Sequence, residues 1–264
     1  SSSCLPIEMP SSALFGVGEG AWSLADYAYF CAEQKSSAAL ALSLAADLGT
    51  AFSMANIAPA DYRARAQSLL AELPRYQCAD GGFGYWPDGC RYGNFYLTAY
   101  VLHVLRVTST LGMATPSVDE TAALAFLDTN LRANPPDLPQ WLPAWTASAS
   151  YAVRELTARK LNEDANITRL AARLDFFPIF ALSYLADAMV SPSGVRHPQY
   201  ADVIRRLTNA IRLEGDRAHV EELDDDALLW LWNSNVRSTA VVLEGLTRRH
   251  DDAQLLPALG PGLV

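Results

Sequence analysis

The stretch LTAYVLHVL, residues 97–105, carries the pattern that runs through most of this 264-residue chain. Leu97, Val101 and Leu105 recur every four residues, and Val104 lies beside them. Apolar residues at this spacing form one stripe along an α-helix, which turns about once every 3.6 residues. Alternation of apolar and polar residues, which indicates strands, is nearly absent. An all-α fold is therefore predicted.

A similar stripe near the end of the chain predicts another helix, with Val236, Ala240 and Leu243 on its buried face and Val242 and Leu246 beside them. Prolines and glycines interrupt the helical segments at fairly even intervals and leave about ten to twelve helices. Many helices of similar length with short connections are typical of an α/α toroid, in which inner and outer helices are paired.

Capping residues predict where helices begin. Thr115 precedes Pro116, and Asp119 and Glu120 follow, which is typical of a helix that starts at Pro116. Asn94 lies near another predicted start. No linker divides the sequence, so we predict one domain over residues 1–264, excised from a larger multidomain protein because it has no initial Met.

Composition excludes several classes of function. The net charge of −9 and the pI of about 4.9 give no electrostatic attraction for nucleic acid or anionic lipid. No segment has the length and apolarity of a membrane span. The four histidines, at positions 103, 197, 219 and 250, lack zinc-site spacing, so no metal and no cofactor are predicted, and His103 is expected to be a core residue.

Residues 27–34, YAYFCAEQ, are the best candidates for chemistry. Cys31 and Gln34 are three residues apart at a predicted helix start, so their side chains meet on one side of a turn. A thiolate that attacks the Gln34 carboxamide expels ammonia and leaves a thioester, which must be kept from water. The candidate shields are Tyr27, Tyr29 and Phe30. From residue types alone, a small buried apolar residue is the more usual interpretation of Cys31.

This segment resembles the thioester motif of the alpha-2-macroglobulin and complement family, in its bacterial form. There, Cys-Gly-Glu-Gln follows Tyr-Pro-Tyr-Gly, whereas here Cys31-Ala32-Glu33-Gln34 follows Tyr27-Ala28-Tyr29-Phe30. The sequence departs from the motif at Ala28 and Phe30, whereas bacterial members also replace the inner Gly of the motif, where this chain has Ala32. Three later segments also resemble family elements, in the same order: the Gly-Gly-Phe loop of residues 76–87, the Thr-Ala-Tyr helix of residues 97–101, and residues 232–240.

The resemblance implies a non-enzymatic protease inhibitor that works by a self-consuming reaction. Its Cys31–Gln34 thioester, with Glu33 as a further motif residue, would trap lysine amines of target proteases after cleavage of a bait region elsewhere. It also implies neighbouring macroglobulin-type β domains and a periplasmic or extracellular location, with membrane anchoring through an N-terminal part left open. Family members run on into a further helix beyond Val264, so the domain is expected to be incomplete at its C-terminus.

The resemblance also bears on which nucleophile reacts. In some complement proteins a histidine delivers the acyl group to hydroxyls, from a segment that corresponds roughly to residues 135–145 here. That segment contains no histidine. Direct reaction with amines is therefore predicted.

Cys78 and Cys90 flank the Gly-Gly-Phe loop and are predicted to form a disulfide in an oxidising compartment; two free thiols in a reducing one is the alternative. Phe83 and Trp86 of this loop are expected to pack over helix ends and to have no catalytic role.

Two other functions stay open. The first is an α/α-toroid enzyme of the terpenoid cyclase kind, for which Asp224–Asp226 would have to supply an acid; a solvated helix start is the simpler interpretation of that triplet. The second is a non-reactive interaction domain with the same fold. Whether Asp224–Asp226 faces a cavity tests the first, and a mass measurement tests the second.

Overall fold

The computed structural model describes residues 16–26, 31–54, 57–191, 193–215, 217–222, 226–231 and 233–251. Ten α-helices lie within these ranges, so the all-α prediction is confirmed. They are α1 (Val17–Ala25), α2 (Ala32–Ala51), α3 (Pro59–Glu72), α4 (Phe95–Thr110), α5 (Glu120–Arg132), α6 (Leu142–Ala158), α7 (Asp164–Ala171), α8 (Ile179–Ala188), α9 (Tyr200–Asn209) and α10 (Asn235–Arg249). Short 3₁₀ turns cover Leu73–Tyr76, Pro139–Trp141, Leu174–Phe176 and Asp226–Leu231.

The helices alternate between two layers. The even-numbered helices form a row in chain order, in which α2 packs on α4, α4 on α6, α6 on α8 and α8 on α10. The odd-numbered helices pack against members of this row: α1 and α3 against α2, α5 against α4 and α6, α7 against α6 and α8, and α9 against α8. This alternation is the arrangement expected of a toroid, and closure of the row into a ring remains a prediction.

Helix α6 lies at the centre of the row and is buried along most of its length. Its N-terminal half contains Thr146-Ala147-Ser148-Ala149-Ser150, a run of small residues that are all buried. Short side chains let α4 and α8 approach α6 closely on two sides. The predicted stripe of Leu97, Val101 and Leu105 on α4 faces this core and is buried, as expected.

A small hairpin, β1 (Ile211–Glu214) and β2 (Arg217–Val220), was not predicted. Its strands pair antiparallel, with Ile211 opposite Val220 and Glu214 opposite Arg217. The four-residue strands are too short to show alternation, but Gly215 followed by Asp216 is a hairpin turn signal. Gly215 has a φ of +64°, a conformation that glycine adopts without strain.

Two details of the helix predictions are wrong. Helix α5 begins at Glu120 rather than Pro116, because the Asp119 side chain accepts a hydrogen bond from the Ala122 N–H and caps the helix there. On α10, Val236 is 64% exposed, and the buried face includes Ser238 and Thr239 instead. Polar partners, described below, decide which face of α10 turns inward.

Charged side chains gather at the C-terminal ends of the inner helices. A cavity of about 980 Å³ lies at the end where α6, α8 and α10 terminate, lined in part by Arg154, Asp187 and Arg248. Asp187 pairs with Arg154 at 2.8 Å and also with Arg248 and Arg249. Cationic side chains at this end oppose the negative ends of the helix dipoles.

The two lysines of the chain differ in exposure. Lys160 is exposed and lines the same 980 Å³ cavity. Lys35, on α2, is buried and forms an ion pair with Glu72 at 2.9 Å. In the described part of the chain, no helix combines the length and apolarity needed to cross a membrane.

Candidate functional site

Cys31 is the N-cap residue of α2, and Gln34 lies at the third position of the helix. The Cys31 backbone N–H donates to Oε1 of Gln34 at 3.1 Å, half of a capping box in which the two residues satisfy each other. This bond turns the Gln34 side chain back toward Cys31 and polarises its carbonyl. Cys31 carries a free thiol that is partly exposed.

The loop that precedes α4 holds the other side of this helix start. The Ala32 N–H, one of the donors left unpaired at a helix N-terminus, donates to the Tyr85 carbonyl at 2.9 Å. The loop is fixed in turn by Asp80, whose carboxylate accepts from the N–H groups of Gly82 and Gly93. A side chain at Gly82 would collide with Gly93, so the two strands of this loop need glycine where they cross.

A disulfide closes the same loop. The Sγ atoms of Cys78 and Cys90 are 2.01 Å apart, with 12 residues of sequence separation. Gly84 packs directly against this bridge, because a Cβ there would lie 2.5 Å from the Cys90 Sγ. The bridge therefore supports the segment that brings Tyr85 to α2. Its dependence on the compartment remains a prediction.

Cys31, Glu33 and Gln34 line one open cavity of about 780 Å³. Most of the remaining described wall is aromatic or aliphatic and comes from four separate segments of the chain. These residues include Tyr85, Trp86, Phe95, Tyr96, Trp141, Trp145, Leu229 and Leu231. Such a wall is the kind of apolar cover that a hydrolysable thioester needs. The predicted shields Tyr27, Tyr29 and Phe30 lie outside the described residues.

The structure places the segment of residues 135–145 at this cavity. Pro136, Trp141 and Trp145 contribute to its wall. This segment, which contains no histidine, thus presents two tryptophans to the cavity that Cys31 lines.

Glu33 is the one ionisable carboxylate among the described residues of the wall. Its Oε1 accepts a hydrogen bond of 2.8 Å from the Ser37 hydroxyl, which lies 2.7 Å from the Tyr100 hydroxyl. Burial raises the pKa of the Glu33 carboxyl, and the Ser37 hydrogen bond and the charge of Arg237 act in the opposite direction. Burial, together with Cys31 and Glu33, also raises the pKa of Tyr85 to about 12.

Arg237 lies behind the cavity at the start of α10. It donates to the hydroxyls of Tyr96 and Tyr184 and to the Leu231 carbonyl, and its guanidinium stacks 4.3 Å from the Phe180 ring. The arginine thus joins α4, α8 and α10 beneath the cavity wall. The resemblance of residues 232–240 to a family element indicated that this segment mattered, but nothing in the sequence indicated the contact with Tyr96.

Other predictions for single residues have mixed outcomes. Phe83 is fully buried, as expected, but Trp86 is 65% exposed at the cavity, so the expectation that it packs over a helix end is wrong. His103 is a buried core residue, 3.3 Å from Glu155, as predicted. Asp224 and Asp225 lie outside the described residues. The described ranges contain no cluster of three or more metal-binding side chains.

Comparison with solved structures finds proteins that share this architecture. The chain matches the crystal structure of native alpha-2-macroglobulin from Escherichia coli spanning domain MG7 to the C-terminus, with a TM-score of 0.72, 19% identity, and coverage of 94% of this chain and 38% of that one. It has the fold of part of a bacterial alpha-2-macroglobulin. The Salmonella alpha-2-macroglobulin reacted with methylamine matches over 96% of this chain and 16% of that chain, with a TM-score of 0.75 and 18% identity.

A third match is the trypsin-activated alpha-2-macroglobulin from Escherichia coli, with a TM-score of 0.69 and 19% identity. The match covers 90% of this chain and 16% of the Escherichia coli chain. At these identities the likeness establishes the alpha-2-macroglobulin fold alone. The chain spans well under half the length of each of these structures. Neither a family model nor a curated relative matches the sequence.

Proposed function

We propose that this chain is the thioester domain of an alpha-2-macroglobulin-like protease inhibitor. The observation that carries the proposal is the reciprocal cap of Cys31 and Gln34 in the wall of an aromatic cavity. The cap holds a thiol and a carboxamide on the same helical turn, and the cavity gives a third molecule access to both. A merely structural cysteine needs neither the glutamine nor the opening.

Thioester formation follows from this placement. The Cys31 sulfur attacks the Cδ atom of Gln34, and the Cys31 N–H stabilises the charge that develops on Oε1, as an oxyanion-hole donor does. The C–N bond then breaks, and ammonia leaves with the thiol proton. The product is a thioester between the two side chains.

Trapping transfers the Gln34 acyl group from the Cys31 sulfur to an amine. A neutral amine attacks the same carbon, the C–S bond breaks, and the Cys31 thiol is released as a substituted amide forms at Gln34. The predicted nucleophile is a lysine of a protease that has cleaved a bait region elsewhere in the protein. Reaction with an amine agrees with the tryptophans, rather than a histidine, that residues 135–145 present to the cavity.

Location and neighbours belong to the same proposal. Periplasmic or extracellular placement agrees with the disulfide at Cys78, because such bonds persist in oxidising compartments. Macroglobulin-type β domains are the expected neighbours, since the matching Escherichia coli structure extends from domain MG7 to its C-terminus. Their contact with the cavity mouth would keep water from the thioester until the protein is cleaved.

The test uses the protein purified at its full natural length. Its intact mass is expected to be lower than the sequence requires by one ammonia, and Cys31 should resist a thiol reagent until methylamine is added. Cys31→Ser is the matched control, because its hydroxyl keeps the cap and forms no thioester. An unmodified Gln34 amide with a freely reactive Cys31 would assign the chain to the non-reactive class instead.

A further inference from the structure

We propose that Glu33 takes the proton from the incoming ammonium group, so that a neutral amine is formed next to the thioester carbon. The inference rests on the proposed thioester and names the chemistry by which that bond recognises its target. It assigns a role to the one motif residue that forms no part of the thioester itself.

The placement of Glu33 fits a proton acceptor. Its neighbours in the same cavity wall are the two residues of the reactive bond, Cys31 and Gln34. Ser37 fixes one carboxylate oxygen, Oε1, and the Tyr100 hydroxyl extends that chain of hydrogen bonds. Within the described residues, no hydrogen-bond donor lies on Oε2, which leaves that oxygen for a ligand in the cavity.

Few polar or charged side chains among the described residues face Glu33. Ser37 lies on its own helix, Tyr85 on the loop, Tyr100 on α4 and Arg237 on α10. The guanidinium of Arg237 is committed to tyrosine hydroxyls and a carbonyl. Burial raises the pKa of Glu33, and a carboxylate of raised pKa is the stronger base toward an ammonium ion.

The rest of the wall suits an alkylammonium ion. Six aromatic side chains line the cavity with Glu33, three of them tryptophans at positions 86, 141 and 145. The faces of such rings attract a cation, and the apolar wall accommodates the methylene stem of a lysine. A sugar or serine hydroxyl brings no cation for these rings and has no proton that a carboxylate readily removes.

The proposed reaction converts one ammonium ion and the thioester into an amide, a free thiol and one proton. The ammonium ion transfers one proton to Glu33 and becomes a neutral amine, whose lone pair attacks the Cδ atom of Gln34. As the C–S bond breaks, its electron pair goes to sulfur, and a second amine proton passes to Cys31 as the thiol. The product is an amide, and Glu33 returns its proton to solvent.

The pH dependence of the wild-type reaction tests the proposal directly. Methylamine-driven thiol release is measured at fixed total amine between neutral pH and the pKa of the amine. If Glu33 deprotonates the ammonium ion, the rate is nearly independent of pH, because the reacting pair is RNH₃⁺ with an ionised carboxylate. A rate that instead rises about tenfold per pH unit, in proportion to free amine, overturns the proposal.

A variant adds a second measurement. Glu33→Gln keeps the shape of the side chain and should slow thiol release by methylamine about a hundredfold, within the range of general-base effects. Methoxyamine is already unprotonated at neutral pH and should react at almost the same rate with the wild-type protein and the variant. Equal slowing of the two amines indicates a structural role and refutes the base.

The mass of each protein before amine addition separates the two proposals. A wild-type protein without the loss of ammonia refutes the thioester itself. A wild-type protein that has the thioester but shows the free-amine pH profile refutes only the role of Glu33. If Glu33→Gln forms no thioester, the wild-type pH profile alone decides.

Discussion

The carboxylate of Glu222 replaces a missing helix cap, and its removal should be costly. Helix α8 begins after Pro178, which has no side chain able to cap it. Glu222, just after the hairpin, accepts from the N–H groups of Ile179 at 2.8 Å and Phe180 at 3.1 Å, and from the Ser238 hydroxyl at 2.7 Å. One carboxylate therefore joins α8 to α10 and satisfies two N-terminal donors.

The cost of losing this carboxylate can be worked from those bonds. A hydrogen bond to a charged group contributes about 1.5–3 kcal/mol. Because Glu222 is only half-buried, we take the lower value for the two backbone bonds and expect Glu222→Ala to lower the free energy of unfolding by about 3 kcal/mol. Glu222→Gln keeps an acceptor oxygen but loses the charge, so about half of that loss is expected.

Urea unfolding followed by circular dichroism measures the effect. The matched control is the preceding residue, Glu221, whose ion pair with Arg212 is exposed on both sides. Glu221→Ala should cost less than about 1 kcal/mol. If Glu222→Ala lowers the free energy of unfolding no more than Glu221→Ala does, with the same slope against urea concentration, Glu222 does not act as the cap and the reasoning is wrong.

Three further predictions concern the rest of the chain. Asp187→Ala should destabilise the fold by about 3 kcal/mol in urea unfolding, because it removes the carboxylate that Arg154 and Arg249 share and leaves each buried arginine with one other partner, Glu244 or Asp251. A loss no larger than that of an exposed ion pair contradicts this. Replacing Cys78 and Cys90 by serine should cost about 3 kcal/mol, with an unchanged melting temperature as the contrary result. Burial lowers the pKa of His103, so its contribution is fully present above the unfolded-state pKa of about 6.5 and is lost as pH falls through the folded-state pKa. His103→Gln should flatten that part of a stability–pH curve, and an unaltered curve would show that His103 is not its source.

Local sequence was enough to predict the centre of the candidate site. The Cys31–Gln34 contact is formed by residues one helical turn apart, so spacing alone predicts that they meet. The cavity wall is different, because Trp141 and Trp145 approach Cys31 only through the packing of α6 in the inner row. Helical periodicity does not encode an approach between residues more than a hundred positions apart, and only the resemblance of residues 135–145 to a family segment pointed to it.

The face of α10 shows a similar limit. Apolar spacing favoured Val236 and Ala240 as its buried stripe, but polar contacts reversed the choice. Ser238 donates to Glu222, and Thr239 accepts from the Val220 N–H of the hairpin. Buried hydroxyls with good partners can replace apolar residues on an inward face, and those partners lie on an element that helical periodicity does not predict.

The positions of the two lysines have a practical consequence for handling this protein. Lys35 is buried with Glu72, so Lys160 is the single exposed side-chain amine within the chain, at the opposite end of the inner helices from Cys31. Among the side chains, an activated bead or a biotin ester would therefore couple to Lys160, at the far end of the inner helices from the aromatic cavity. The arginines nearby would not compete, because guanidinium groups stay protonated. Once any N-terminal α-amine is blocked, immobilisation through Lys160 needs no change of sequence.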